Sequence, residues 1–333
     1  MQPALMPDSK DSAQQRTLLL AVLADAGYLT HPIAISDLKL LTGGFWNQVY
    51  RLQVGEQLIV IKQFFQGVPN PMFPVMPDTE AAALRFLQGS GCAPEPIAYL
   101  PHTPAGDILL YSYVAGLPWT FDPPNAEKCI QGVADVLARV HRIPINAKAK
   151  NSFRLLAQSP VELYAHSLSM LNACDTSLRG PLDRWVKTLA DCPVTAPCEP
   201  VLVHTDCGPG NMIVGATGPC LIDWQCPGLG DPLQDVFTFT SPAMHILYHC
   251  EPLADADIQR VFHCYFQAQD VGRQLEAMQA RLRDVQVYHH FRFAAYCAYR
   301  ITHLQAPQPA VAELYSQALS AELSYLQRLL ENP

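Results

Sequence analysis

The stretch from Val201 to Trp224 restricts the fold more than any other. An apolar run, Val201-Leu-Val203, delivers His204 and Asp206 into the loop Cys207-Gly-Pro-Gly210, which ends at Asn211. A second apolar run, Met212-Ile-Val214, leaves the loop. After the turn Gly215 to Pro219, the chain continues Leu221-Ile222-Asp223-Trp224. The two runs read as strands, so three polar residues able to serve metal or proton chemistry, Asp206, Asn211 and Asp223, fall at the ends of one small hairpin. The sequence around this β-rich island is helical in pattern: Ala126 to His141, Val161 to Asn172 and Leu182 to Leu189 before it, and Asp231 to Leu330 after it. Alone, Asp206 and Asn211 read as turn residues and Asp223 as a strand-end cap. Together, framed by two apolar strands, they form a set that suits phosphoryl transfer. That chemistry requires a carboxylate facing an acceptor hydroxyl, and an Asn with a second carboxylate to hold Mg²⁺.

The first 115 residues have a different texture. Thr17 to Ala26 has helical spacing and stops at Gly27. From Leu38 to Phe65, short strand-like runs predict an antiparallel three-stranded meander, with Gly43-Gly44 turning its first pair and Gly55-Glu56 its second. A loop carrying Pro69, Pro71, Pro74 and Pro77 leads to Asp78, read as a helix cap. Thr79 to Gln88 then reads as a helix ending at Gly89. Strands are predicted at Ile97 to Leu100 and Ile108 to Val114. The expected fold class is α+β, with an N-terminal five-stranded antiparallel sheet, one inserted helix and a mostly helical C-terminal lobe. The expected divisions are a helical extension over residues 1–37, a β-rich lobe over 38–115 and a helical lobe over 116–333. The crevice between lobes is the expected ligand site.

Composition narrows the function. Of 333 residues, 49% are hydrophobic and 16% charged, which excludes global disorder. The net charge is −8, and no block of Lys or Arg offers itself to phosphates, so no nucleic-acid partner is expected. The longest apolar stretch, Thr17 to Leu23, is too short to span a bilayer, and Met1 to Gln15 is polar with two prolines, unlike a secretory signal. The eleven cysteines are odd in number and scattered, with no Cys-x-x-Cys pair. They read as small buried residues of a reducing compartment. A cytoplasmic protein with no membrane partner, monomeric or a simple homodimer, is expected.

His204-x-Asp206-x-x-x-x-Asn211 followed by Ile222-Asp223-Trp224 resembles the catalytic and metal motifs of the aminoglycoside phosphotransferase and choline kinase-like family. The similarity runs from about Leu38 to Val236 and implies a protein-kinase-like bilobal fold. It also implies an ATP- and Mg²⁺-dependent kinase that phosphorylates a hydroxyl of a small-molecule acceptor. Asp206 would orient or deprotonate that hydroxyl, Asn211 and Asp223 would ligate Mg²⁺, and His204 would brace the loop. The remaining motifs follow in the family's order. Leu41-Thr-Gly43-Gly44-Phe-Trp-Asn47 matches the nucleotide loop whose backbone covers the triphosphate. Lys62 is a lone cation in the apolar run Ile59-Val-Ile-Lys62, where a buried ammonium needs an anionic partner or a route to water. The resemblance supplies the α- and β-phosphates, with Glu80 positioning the amine. Leu109 to Gly116 is similar to the connecting strand and hinge, where backbone groups from Ser112 to Val114 would meet the adenine edge.

The match departs from the family at Thr205 and Gly208, where Gly and His are common, yet no ionisable group of the reaction centre is lost. There is no Arg before Asp206, no Asp-Phe-Gly and no Ala-Pro-Glu, which argues against transfer to protein Ser or Thr. The alternative from another class is a catalytically silent nucleotide-binding regulatory protein of the same fold. Asp231 and Asp235 read as structural, capping a helix and tying down the loop, and His141 matches the family's structural histidine. His245 and His249, four apart, are compatible with a metal pair on a helix, although His-Glu-x-x-His is absent. Tyr288, Arg292, Tyr296 and Arg300 form a stripe that either lines an acceptor pocket or is a packed aromatic face. Glu251, Asp255 and Asp257 read as a solvated helix start, or as a patch for a cationic substrate if they face the cleft.

Overall fold

The computed structural model describes residues 13–29, 31–43, 47–65, 70–195, 198–269, 272–304 and 308–331. The chain divides into two compact units. The first comprises Met1–Leu117 with Cys220–Cys226, and the second Pro118–Pro219 with Pro227–Pro333.

The first unit is built on five antiparallel strands: β1 (Lys39–Gly43), β2 (Asn47–Val54), β3 (Gln57–Phe64), β4 (Pro96–Thr103) and β5 (Gly106–Ser112), in the order β1-β2-β3-β5-β4. Side chains alternate along a strand, so every second residue shares a face. On one face Tyr50 and Leu52 of β2, Ile59 and Ile61 of β3, and Ile108 and Leu110 of β5 are buried. They pack with Leu19, Leu20 and Leu23 of helix α1 (Ala13–Asp25). The other face of β3 presents Val60 and Lys62. Because β3 is the middle strand, paired with β2 at Val49 and with β5 at Leu109, Lys62 has no edge from which to reach water.

Helix α2 (Pro77–Phe86) is the inserted helix between β3 and β4. Asp78 is not its cap. Pro77 takes the first helical position, where its missing N–H costs nothing and its fixed φ is already helical. This places Asp78 inside the first turn, where a carboxylate still suits the helix dipole. Gly44, Phe45, Trp46 and Pro69 lie outside the described residues.

The second unit is mostly helical: α3 (Ala126–His141), α4 (Ala147–Ser152), α5 (Pro160–Leu171), α6 (Thr176–Thr188), α7 (Leu233–Thr240), α8 (Pro242–Leu247), α9 (Asp255–Gln269), α10 (Gly272–Thr302) and α11 (Pro309–Glu331). Its longest helix, α10, packs against α5, α6, α7 and α11. A two-stranded antiparallel ladder, Val201–Val203 with Gly228–Gly230, joins the segment entering His204 to the segment entering Asp231. The Tyr288 stripe is packed rather than open. Tyr288 donates to the Leu189 carbonyl at 3.3 Å, and Arg300 bonds Tyr296 at 3.2 Å while lying over the ring of Tyr315 on α11.

Candidate active site

In the first unit, Lys62 is the centre of a three-charge cluster. Its ammonium donates to both oxygens of Glu80, at 2.9 and 2.6 Å, and to Asp223 Oδ1 at 2.5 Å. The Lys62 and Glu80 side chains are each 1% exposed, whereas that of Asp223 is 32% exposed, so the cluster opens only on the Asp223 side. Burial alone would lower the Lys62 pKa, but the Asp223 and Glu80 carboxylates outweigh it and the amine is held charged. For Glu80 the balance is reversed: burial pushes its carboxyl up to about 7 against the pull of Lys62. Two carboxylates thus share one ammonium.

The backbone explains how Asp223 reaches Lys62. Asp223 sits in the left-handed region with φ +63, which reverses the chain after Leu221. This turn lets the Trp224 backbone N–H reach the Glu80 carboxylate, while the Trp224 indole donates to the Leu221 carbonyl at 3.0 Å. The same segment is tied to the rest of its unit by Leu221 N–H to the Cys92 carbonyl and by Met76 N–H to the Gln225 carbonyl, at 2.8 and 3.0 Å.

Gly43 ends β1 opposite Gln48, and Asn47 opens β2 opposite Phe64. At the hinge, Ser112 N–H is committed to the Glu95 carbonyl and Tyr113 N–H to the Leu58 carbonyl. The Ser112 hydroxyl in turn accepts the Glu95 N–H at 2.9 Å. Val114 follows directly and lies outside this set of bonds.

In the second unit the residues of the loop that carries Asp206 are held by a shared set of bonds. Asp235, on the first turn of α7 and fully buried, accepts the backbone N–H of His204 at 2.7 Å and of Thr205 at 2.8 Å, and meets His141 Nε2 at 3.1 Å. Burial would raise its carboxyl, but the bonds from His141 and the loop hold it below the usual carboxylate value. His141 passes the restraint on through Nδ1 to the Tyr265 hydroxyl, at 2.7 Å. Asp231 accepts the Leu233 N–H with one oxygen at 2.9 Å and takes Arg281 Nη2 on the other at 2.8 Å. Asp231, Asp235 and His141 thus have the structural roles expected of them.

Thr205 has φ +71, a conformation that suits glycine and strains a β-branched residue. Its N–H is nevertheless held on Asp235, which stabilises the loop in that shape. Asp206 N–H points at His204 Nδ1 at 3.3 Å, so the histidine braces the loop from within. The Asn211 amide is oriented by two bonds: its nitrogen donates to the Asp206 carbonyl and to the Tyr248 hydroxyl, each at 2.7 Å. With the nitrogen committed, the amide oxygen is the atom left to face a cation. The donors offered by Asn211 and Asp223 are therefore hard oxygens, the type Mg²⁺ takes.

Tyr248 is the residue that sequence reasoning missed. Its hydroxyl donates to Asp206 Oδ1 at 3.0 Å. It stands 37 residues beyond Asn211, after α8 and outside any motif. The only local signals were Gly208 and Gly210, which suggest that something large lies close over the loop. The His245–His249 pair does not form a metal site. Helix α8 ends at Leu247, so the helical spacing fails, and both ring nitrogens of the buried His245 lie 2.9 Å from carbonyls, those of Glu251 and Phe239. Among the described residues, no group of three or more His, Cys, Asp or Glu side chains is placed to hold a metal ion. The acidic stretch does begin a helix: Asp255 and Asp257 lie in the first turn of α9, paired with Arg328 and Arg260.

Comparison with solved structures places this fold among the kinase-like phosphotransferases. Choline kinase from Cryptosporidium parvum Iowa II aligns over 95% of this chain and 96% of its own, with a TM-score of 0.65 at 12% identity. Plasmodium vivax ethanolamine kinase aligns over 93% and 89%, with 0.64 at 12%. A spectinomycin phosphotransferase solved with ADP and spectinomycin aligns over 92% and 97%, with 0.63 at 13%. No curated protein sequence matches the chain. The model of the phosphotransferase enzyme family matches residues 37–276, and the chain belongs to that family. It is a phosphotransferase of the small-molecule kinase type. No described helix is long and apolar enough to cross a membrane.

Proposed function

We propose that the protein transfers the γ-phosphoryl group of ATP, with Mg²⁺, to a hydroxyl of a small molecule in the cytoplasm. The observation that carries this reading is Lys62, an ammonium buried on a middle strand and held between Glu80 and Asp223. A buried cation costs several kcal/mol unless it is paired and hydrogen-bonded, and a lysine kept charged in a closed setting serves as a fixed partner for phosphate oxygens. Glu80 sets its position, and the arriving α- and β-phosphates take over part of the role that Asp223 has in their absence. Gly43, Gly44 and Asn47 serve the phosphates of the nucleotide, and hinge backbone from Ser112 to Val114 meets the base. Within that hinge Val114 carries most of the contact, since the N–H groups of Ser112 and Tyr113 already have partners.

Asp206 orients the acceptor hydroxyl and takes its proton as the O–P bond forms. Asn211 through its amide oxygen and Asp223 through its carboxylate hold Mg²⁺, which when bound neutralises charge on the phosphates. His204 and Asp235 keep the loop in register. The reading is supported by family membership and by neighbours named as choline kinase, ethanolamine kinase and spectinomycin phosphotransferase, the last holding ADP. A cytoplasmic setting is supported by eleven cysteines that are all free thiols. Calorimetric titration tests the nucleotide half. ATP should bind more tightly with Mg²⁺ than with EDTA, and Asp223→Ala should abolish that difference. Equal binding in both conditions, or an undiminished Mg²⁺ effect in Asp223→Ala, refutes the assignment.

A further inference from the structure

Tyr248 lies over the loop that carries Asp206 and Asn211 closely enough to determine what that loop can be. A Cβ placed on Gly208 would stand 2.3 Å from Tyr248 Cε2, and one on Gly210 would stand 2.2 Å from Cδ1. Both distances are far below van der Waals contact, and they involve opposite edges of one ring. The ring therefore covers the loop backbone at both positions and leaves room for no side chain at either. Gly208 is also where the sequence departs from its family, and the ring occupies the space a side chain there would need.

The hydroxyl at the end of this ring has two bonds with a defined direction. It donates to Asp206 Oδ1 at 3.0 Å and accepts from Asn211 Nδ2 at 2.7 Å. A phenol has one proton to give, so the donated bond holds the Asp206 carboxylate while the accepted bond holds the Asn211 amide nitrogen. The second bond decides which end of the amide faces outward: with the nitrogen on Tyr248, the oxygen is the end presented to a cation.

Tyr248 is itself held firmly. Helix α8, which delivers it, is anchored at its start by the buried Glu322, whose carboxylate accepts the Ser241 hydroxyl at 2.8 Å and the Ala243 N–H at 3.0 Å. His290 Nδ1 bonds the other Glu322 oxygen. Within the helix, the His245 ring spans the Glu251 and Phe239 carbonyls, and beyond it the left-handed His249 (φ +57) turns the chain away. The segment that carries the tyrosine, the end of α8, is thus anchored independently of the loop it touches.

We propose that Tyr248 is a positioning residue for phosphoryl transfer, aligning the Asp206 carboxylate and turning the Asn211 amide oxygen toward the metal, and that Gly208 and Gly210 are glycines because its ring covers them. The first half rests on the function proposed above, whereas the second is a packing relation independent of catalysis.

Two experiments test it. Tyr248→Phe keeps the ring and removes only the hydroxyl. Its melting temperature should stay close to the wild-type value, its KM for Mg·ATP should hold, and kcat should fall roughly 10- to 30-fold, the loss expected for one hydrogen bond to a charged group at the reaction centre. The Mg²⁺ concentration needed for half-maximal rate should rise. A Tyr248→Phe enzyme that turns over like wild type at the same Mg²⁺ requirement overturns the positioning role. A wild-type protein that releases no ADP from Mg·ATP with any small hydroxyl acceptor overturns the proposed function, and the positioning role with it. The second experiment needs no activity. Gly208→Ala should lower the melting temperature in the wild-type background and have little effect in Tyr248→Ala. An equal loss in both backgrounds refutes the packing relation.

Discussion

Replacing Asp235 with Ala should cost more stability than any other single change in the supports of the loop that carries Asp206. Its carboxylate is fully buried and receives two backbone N–H groups, from His204 and Thr205, together with His141 Nε2. Alanine leaves all three without that acceptor. A buried donor stranded in this way costs about 1–3 kcal/mol. His141 keeps its bond to the Tyr265 hydroxyl, so the expected total is about 4 kcal/mol, within the range seen when one partner of a buried pair is removed. In a unit of this size about 4 kcal/mol corresponds to a fall of roughly 8–16 °C in melting temperature. Thr205 should make the effect worse, because its left-handed backbone is held by the bond that is lost.

Differential scanning calorimetry of the ligand-free proteins reads this directly, and pH gives it a second arm. The Asp235 carboxyl is held below its usual value in the folded protein, so its stabilisation is present above about pH 4 and is lost as the pH falls through the folded value. The wild-type and Asp235→Ala curves should therefore converge in acid. A loss under about 1 kcal/mol at neutral pH would mean that the loop carries itself, contrary to the bonding described.

Lys62→Met should weaken Mg·ATP binding at least about tenfold, since it removes the fixed cation, and should cost about 3 kcal/mol of stability by leaving Glu80 buried without its partner. Titration calorimetry and thermal melts check the two effects separately. Gly106→Ala should destabilise the first unit by about 2 kcal/mol, because φ is +88 there and the new Cβ would stand 2.7 Å from the Phe64 carbonyl oxygen; urea unfolding reads it. Burial holds His245 and His289 below their ordinary pKa, so the unfolded chain binds protons that the folded one refuses. Stability should fall as pH drops below about 6.5, by up to about 1.4 kcal/mol per pH unit for each histidine. His245→Gln, which can still bond a carbonyl, should flatten part of that slope; an unchanged slope would remove His245 from it.

The reach of the sequence follows from which forces are local. The five strands were legible because alternation and glycine turns act over a few residues, and Tyr50, Leu52, Ile59 and Ile61 carry the alternation plainly. The pairing of Lys62 with Glu80 followed from the cost of burying an ammonium together with the family's order of motifs. Asp231 was legible as a support because its bond to the Leu233 N–H is local, whereas the reach of Asp235 to the His204 and Thr205 N–H groups, 31 and 30 residues away, followed only from the family's order of motifs. Tyr248 was not, because its role arises from how α8 is hung on Glu322, 81 residues beyond Ser241. No local pattern encodes that. The His245–His249 spacing suggested a helical face that does not exist, since the chain turns left-handed at His249. Asp78 read as a cap because the first-turn preference for carboxylates resembles the capping preference, and Pro77 shifted the boundary by two residues.

The most direct test of the central claim is a ³¹P NMR time course of Mg·ATP with the protein and a panel of small hydroxyl compounds, run beside Asp206→Asn. The account predicts a phosphate-ester signal growing with ADP for one acceptor class in the wild type and its absence in Asp206→Asn, with Mg·ATP still bound by the variant. An ester formed equally fast by Asp206→Asn, or no ester and no ADP from the wild type with any acceptor, would contradict it.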